Sequence, residues 1–290
     1  MTKFIAVTNR RGGVGKTTTT LMLAYGLAVY GRKSVLVVDL DAQASTSSTL
    51  MGHELWNEAR RKNKTVGDLV LEVYGSGPVD MTPYVSDIVG DVHMNPGQVM
   101  PKIQAIPASF TLDERELEFV YQYARQFTVL PKMYAAIRER ISEIFRSLSG
   151  QHDVVIFDCP PGLSNVAWGA LRAADHAIIP YIPDRTAEDN ISWLLSRLKK
   201  NNPNQQQRVL ANRYQVKSAM MQGVAAAVSQ EYPSLGLVIP MQTALSNALE
   251  YEDNTQTLNQ KFGASISSVK ALYSATLEWI YQPSAVDQVA

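Results

Sequence analysis

The densest chemistry in the chain lies close to its start. Asn9-Arg10-Arg11-Gly12-Gly13-Val14-Gly15-Lys16-Thr17-Thr18 follows an apolar, β-branched run at 4–8 and opens a helical pattern at 17–30. Glycines between a strand and a helix let the backbone curl tightly, so that N–H groups point inward at an anion. The helix adds the partial positive charge of its N-terminus. Gly12, Gly13, Val14 and Gly15 are therefore expected to cradle phosphate oxygens with backbone amides. Lys16 is placed to neutralise the β- and γ-phosphates of a nucleotide, Thr17 to ligate Mg²⁺ and Thr18 to bond the α-phosphate. A glycine turn with an incidental lysine would need none of this register.

Two further runs put carboxylates at strand ends. Val35-Leu36-Val37-Val38-Asp39-Leu40-Asp41-Ala42-Gln43 alternates its two acids, which sets both on one side of an extended chain. Val154-Val155-Ile156-Phe157-Asp158-Cys159-Pro160-Pro161-Gly162 ends a buried-type strand on Asp158, a position suited to holding Mg²⁺ through water. Cys159 reads as a small buried residue, since no histidine stands near it in the sequence.

These groups need a frame that brings separate strand ends together. Short apolar runs at 4–8, 34–39, 154–158, 177–181, 208–214 and 237–240 read as strands covered on both faces. Helical patterns at 17–30, 112–127, 132–148, 186–200, 216–230 and 265–280 alternate with them. That alternation predicts an α/β fold, a doubly wound and mostly parallel sheet flanked by helices. The stretch 51–107, with Gly75-Ser76-Gly77-Pro78 and several prolines, reads as an elaborated insertion carrying short helices within a single domain over 1–290.

Composition narrows the function. Lysine plus arginine balance aspartate plus glutamate at 27 each, so a nucleic-acid partner would need a local basic patch. A single cysteine excludes a disulfide framework, a CxxC pair or a four-cysteine cluster within one chain, and fits a reducing cytoplasm. The N-terminus lacks the apolar stretch of a signal peptide, and no run reaches the length of a membrane span. A cytoplasmic protein is expected.

The phosphate loop has Arg10 where the general motif has glycine. It resembles instead the deviant loop of the ParA/MinD family of ATPases, Lys-Gly-Gly-x-Gly-Lys-Thr, with Arg11 at the position of that family's first lysine. The segment at 39–43 is similar to the family's Asp-x-Asp-Pro-Gln, with Ala42 for proline, and 154–162 looks like its second strand motif. The resemblance continues through 106–109, 174–180 and 212–214 to 238–248, nearly the whole chain. It implies that ATP and Mg²⁺ are bound and that a second copy pairs around the nucleotide. It implies that Arg11 crosses to the partner's ATP and that Asp41 positions the attacking water. Asp39 would support the loop and the metal shell, Pro160, Pro161 and Gly162 would form a γ-phosphate-sensing switch loop, and Asn212 would contact adenine. Asn212 also reads as an ordinary strand-end residue.

Within that family, the absence of a helix-turn-helix ahead of the first strand and of basic residues at 281–290 points away from operator binding and from a membrane tail. The ParA-like branch remains: slow, adaptor-stimulated ATPases, nucleoid-associated, which bind nonspecific DNA as ATP dimers and position a plasmid, a chromosome or a protein compartment such as a carboxysome. Phosphate contacts would come from Arg197, Lys199, Lys200, Arg208, Arg213 and Lys217, each of which also reads as a solvated surface residue. A small-molecule-modifying enzyme on the same fold and a module that holds ATP without hydrolysing it are the competing expectations.

Overall fold

A computed structural model describes residues 1–73, 77–94, 100–162 and 164–281. The chain runs β1 (Lys3–Val7), α1 (Lys16–Val29), β2 (Val35–Asp39), α2 (Ser45–Arg61), α3 (Val66–Glu72), β3 (Val92–His93), β4 (Ile103–Ile106), α4 (Leu112–Ala124) and α5 (Leu130–Arg146). It continues through β5 (Val154–Asp158), α6 (Asn165–Ala173), β6 (His176–Tyr181), α7 (Ala187–Asn201), β7 (Gln206–Tyr214), α8 (Ala219–Glu231) and β8 (Ser234–Pro240). It closes with α9 (Thr243–Asn247), β9 (Gln256–Thr257), α10 (Leu258–Phe262) and α11 (Ile266–Tyr281).

Seven strands form one sheet in the order β4-β2-β5-β1-β6-β7-β8, and every pairing in it is parallel. A parallel sheet needs helical cover on both faces, which is why β1, β2 and β5 contain almost only Val, Ile, Leu, Ala and Phe and are buried nearly from end to end. Helix α1 is apolar all round because it is walled in on both sides. A side chain at Gly26 would bring its Cβ to 2.8 Å from Cβ of Tyr273 on α11, so the two helices touch backbone to side chain there.

The segment 51–107 differs from expectation in one respect. Its Ile103–Ile106 is an edge strand of the main sheet, pairing with β2 from Val35↔Ile103 to Val38↔Ile106. The run is only four residues, bounded by Pro101 and Pro107, so its apolar period is too short to stand out. The helix α2 enters this segment from upstream, and Gly52 (φ 66°) kinks it around the Tyr251 ring. Gly75, Ser76 and the basic-free tail from 282 lie outside the described residues.

A small second sheet, β3 with β9, is tied down by a buried ion pair. Lys261 Nζ of α10 lies 2.5 Å from Asp91 Oδ2, with both side chains essentially inaccessible to solvent. Asp91 also accepts from the Tyr25 hydroxyl of α1 (2.8 Å) and the Glu252 amide (3.1 Å), and Lys261 donates to the Glu250 carbonyl (3.0 Å).

Candidate nucleotide site

The strand order places the carboxyl ends of β1, β2, β5, β7 and β8 along one rim, where parallel α/β sheets bind ligands. The loop from β1 to α1 rises from the sheet's middle. Gly13 (φ 72°) and Gly15 (φ 88°) take left-handed backbone that other residues resist. At Gly15 space is closed as well: a Cβ there would sit 2.2 Å from Asn212 Nδ2. Asn9 anchors the loop's start, donating to the Pro180 carbonyl (2.8 Å) and accepting from the Arg11 amide (2.9 Å).

The loop borders a cleft of about 890 Å³. Gly12, Gly13, Gly15, Lys16, Thr17 and Thr18 line one end, with Asp41 and Pro161 beside them. Tyr214, Val216, Pro240, Met241, Leu245 and Leu249 line the rest, interspersed with Asn212, Arg213, Gln215, Gln242, Thr243 and Ser246. Val14, by contrast, is buried beneath the loop.

Lys16 is mostly buried, its Nζ donating to the Arg11 carbonyl (3.3 Å) across the loop. Burial pulls its pKa below the ordinary lysine value, and the charges of Asp158 and Asp41 partly offset this. Thr17 Oγ1 donates to Asp158 Oδ2 (3.1 Å), and Thr20 and Thr46 donate to the same carboxylate. A hydroxyl and a carboxylate are hard oxygen donors of the kind Mg²⁺ selects. Among the described residues no group of three His, Cys, Asp or Glu could hold a metal alone. The pair therefore fits an ion that draws its remaining ligands from phosphate and water. Cys159 is buried and its thiol pKa is raised by burial, so it stays protonated and inert.

Several of the expected site residues hold partners within the chain. Asp39 accepts from Ser47 N (2.8 Å), Ser47 Oγ (2.7 Å) and Asp41 N (3.1 Å), which ties its carboxylate into its own loop. Asp41 is half-buried and its Oδ1 caps the Gln43 amide (2.9 Å) at the cleft's edge. Arg11 is bound within its own chain to Asp184, with Thr186 Oγ1 at 3.5 Å. Asn212 donates to the Val14 carbonyl (3.0 Å), lies against Gly15 and also lines the cleft. Arg213 was a candidate for DNA; its Nη1 donates to the Gly13 carbonyl (3.1 Å), which commits it to the loop. Arg197, Lys199 and Lys200 lie exposed on the last turns of α7, and Lys217 lies exposed before α8. Pro161 is exposed, and Gly162 has φ 114°.

The residues not foreseen are Thr20, Thr46, Ser47 and Asp184. The hydroxyl run Ser45-Thr46-Ser47-Ser48-Thr49, soon after Asp41, was the available signal. Asp184 gave none, since its role depends on β6 ending beside β1.

Burial pushes the Asp39 and Asp158 pKa values upward, and Asp39 rises further for facing the charge of Asp158. Such a carboxyl binds protons more tightly folded than unfolded, so stability falls as pH rises from the ordinary value of 3.8 through the raised one. Asp153 and Asp80 are held low by hydrogen bonds from Ser34 and Thr82; their contribution is complete above the acid range and stays flat from about pH 5 to 7.5. His152, lowered by burial, works in the opposite direction but is common to both proteins in a comparison. Asp39→Asn keeps one acceptor oxygen for Ser47, places its amide NH₂ toward the Asp41 amide, and removes the titration. Its melting temperature is expected to drop less than the wild type's between about pH 5 and 7.5. A tenfold difference in proton affinity is worth about 1.4 kcal/mol, or roughly 2–3 °C for a chain this size. Parallel melting curves for the two would refute the assignment.

Residues 2–211 match the family model described as an AAA domain. The chain is 26% identical over 243 residues to the sporulation initiation inhibitor protein Soj of Bacillus subtilis, covering 82% of this chain and 78% of Soj. Among solved structures, its fold is similar to cobyrinic acid a,c-diamide synthase of Mycobacterium smegmatis with an ATP analogue and magnesium (TM-score 0.71, 21% identity, 97% and 96% of the two chains). It is equally similar to an ATP complex of a McdA variant from Cyanothece (TM-score 0.70, 20% identity, 95% of each chain). No helix among the described residues is long and apolar enough to cross a membrane. With the deviant phosphate loop, the two strand-end acid motifs and the parallel seven-stranded sheet, these likenesses make the chain a member of the AAA-domain family in its ParA/MinD branch.

Proposed function

We propose that this chain is a nucleotide-driven switch ATPase. It binds Mg·ATP, pairs with a second copy around the nucleotide, associates with nonspecific DNA, and positions a cargo while an adaptor stimulates slow hydrolysis to ADP and phosphate. The observation that carries the reading is the convergence of Lys16, Thr17, Asp41 and Asp158 around one glycine loop at the end of an elongated cleft. The apolar far wall, from Tyr214 to Leu249, suits a purine ring.

In this reading the loop amides and Lys16 bind the triphosphate. Thr17 and Asp158 hold the magnesium ion, which when bound neutralises charge on the β- and γ-phosphates. Asp41 orients the attacking water, and the 160–162 segment carries the state of the γ-phosphate into α6. Arg11 reaches the second copy after leaving Asp184. Of the basic residues, Lys199, Lys200, Arg197 and Lys217 remain available for phosphate contacts that read no sequence. A cytoplasmic, nucleoid-associated location follows from DNA association. A small-molecule-modifying enzyme on the same fold would instead show turnover that depends on a second substrate.

Sizing the protein with Mg·ATP and with Mg·ADP tests the switch. A doubled mass and DNA retention with ATP only are expected. The same mass in both states would defeat the proposal. Asp41→Ala is expected to lower phosphate release at least about tenfold while leaving nucleotide uptake in place; wild-type release rates in that variant would remove Asp41 from the chemistry.

A further inference from the structure

The far wall of the nucleotide cleft ends in a turn that distant parts of the chain hold in place. Leu245, Ser246 and Leu249 line the cleft from α9 and the residues just after it. Carbonyls packed away from water need donors, and here side chains from elsewhere supply them. Thr49 Oγ1 of α2 donates to the Leu249 carbonyl (2.6 Å), and the buried Lys261 donates to the Glu250 carbonyl (3.0 Å). The next residue, Tyr251, lays its ring against Gly52, where a Cβ would come within 2.7 Å of Cε1. Leu249, Glu250 and Tyr251 are thus pinned in succession, the first and last of them by α2.

The same helix holds the opposite end of the cleft. Thr46 stands three residues before Thr49, on the same face of α2, and donates to Asp158, the carboxylate beside Thr17. Ser47 donates to Asp39 through its amide (2.8 Å) and its hydroxyl (2.7 Å). Three residues of helix advance about 4.5 Å. One turn of α2 therefore sets the spacing between the acid at the phosphate end and the carbonyl behind the far wall. Thr49 itself is buried and does not line the cleft, so it reaches a ligand only through Leu249.

We infer that Thr49 is a positioning residue for the base of the nucleotide: its hydroxyl holds the Leu249 turn, and with it the far wall, at a set distance from Asp158. The inference deepens the proposed function and rests on it for the identity of the ligand. With the bond in place, a base meets a wall already formed. Without it the turn spreads over other arrangements, and a base binds only the fraction of molecules whose wall is in place. Apparent affinity falls by that fraction. Inorganic tripolyphosphate has no base and needs only the glycine loop, Lys16 and the metal pair, so it is indifferent to Thr49.

The test compares three full-length variants. Thr49→Val and Thr49→Ala remove the donor, the first nearly keeping the shape and the second adding no bulk; Thr49→Ser keeps the donor. Melting curves show which of them are folded. In calorimetry both donor-free variants are expected to bind Mg·ATP about tenfold more weakly than the wild type and to bind magnesium tripolyphosphate as the wild type does. Their KM for ATP should rise with kcat kept. Thr49→Ser should bind both ligands normally. Amide hydrogen exchange on the ligand-free proteins reads the turn directly. The Leu249, Glu250 and Glu252 amides, which donate to Ser246, Asn247 and Asp91, should exchange faster in the donor-free variants and not in Thr49→Ser.

Equal weakening of both ligands, unchanged ATP affinity, or a Thr49→Ser that behaves like Thr49→Val would each overturn the inference. Exchange that ignores the loss of the donor would overturn it too, even where the wild type takes up Mg·ATP as proposed. A wild type that takes up neither ligand, in a protein whose exchange responds as described, would count against the proposed function and leave the hold of Thr49 on the turn standing.

Discussion

Replacing Lys16 with alanine is expected to lower ATP turnover by roughly 100–1000-fold while the fold survives. The ammonium is the one cation buried within the loop, and its proton-bearing Nζ rests on the Arg11 carbonyl, a contact that phosphate oxygens can replace at little cost. The rest of the loop is built from backbone, so no other side chain supplies charge at that point. Stability should change little, because Lys16 is itself penalised by burial, and Asp158 keeps its three threonine donors without it. Calorimetry with Mg·ATP and a phosphate-release assay measure the loss. If the variant takes up Mg·ATP with wild-type affinity, the loop is not a triphosphate site.

Lys261→Met is expected to cost about 3–5 kcal/mol of stability, the usual penalty for stranding one member of a buried ion pair. Asp91 would be left with the Tyr25 hydroxyl, the Glu252 amide and, at 3.5 Å, the Gln256 side-chain amide as partners for a full charge in a place closed to water. The Glu250 carbonyl would lose its donor too. The damage reaches three elements, since this pair joins α10 to the segment before β3 and, through Tyr25, to α1. Denaturant midpoints for Lys261→Met, Asp91→Asn and the double variant measure it. The double change, which removes both charges, should recover part of the loss. Equal midpoints for wild type and Lys261→Met would mean that the pair contributes nothing.

The phosphate loop and the central strands could be read from the chain because their signals are local. A short apolar run and a Gly-Lys-Thr sequence need no partner to be recognised, and β1, β5 and β6 lie within a residue or two of the expected bounds. The contacts that Asn212 and Arg11 make depend on distant pairs. Asn212 meets Val14 across 198 residues, and Arg11 meets Asp184 across 173. Nothing in the neighbourhood of either residue encodes such a meeting; it follows from which strands lie side by side. The edge strand at Ile103–Ile106 escaped for a different reason. Five residues between prolines carry too few periods to separate a strand from a loop.

The strand at the middle of the sheet has consequences for how the molecule is made. Lys3 pairs with Val154, and Ile5 with His176, so the first strand synthesised waits for both its neighbours. Until Tyr181 has left the ribosome, β1 has at least one unsatisfied edge and the glycine loop above it has no floor. More than half of the polypeptide must therefore emerge before a phosphate can be gripped. Such remote pairing folds slowly and leaves apolar edges open in the interim, which makes the nascent chain a natural client for chaperones.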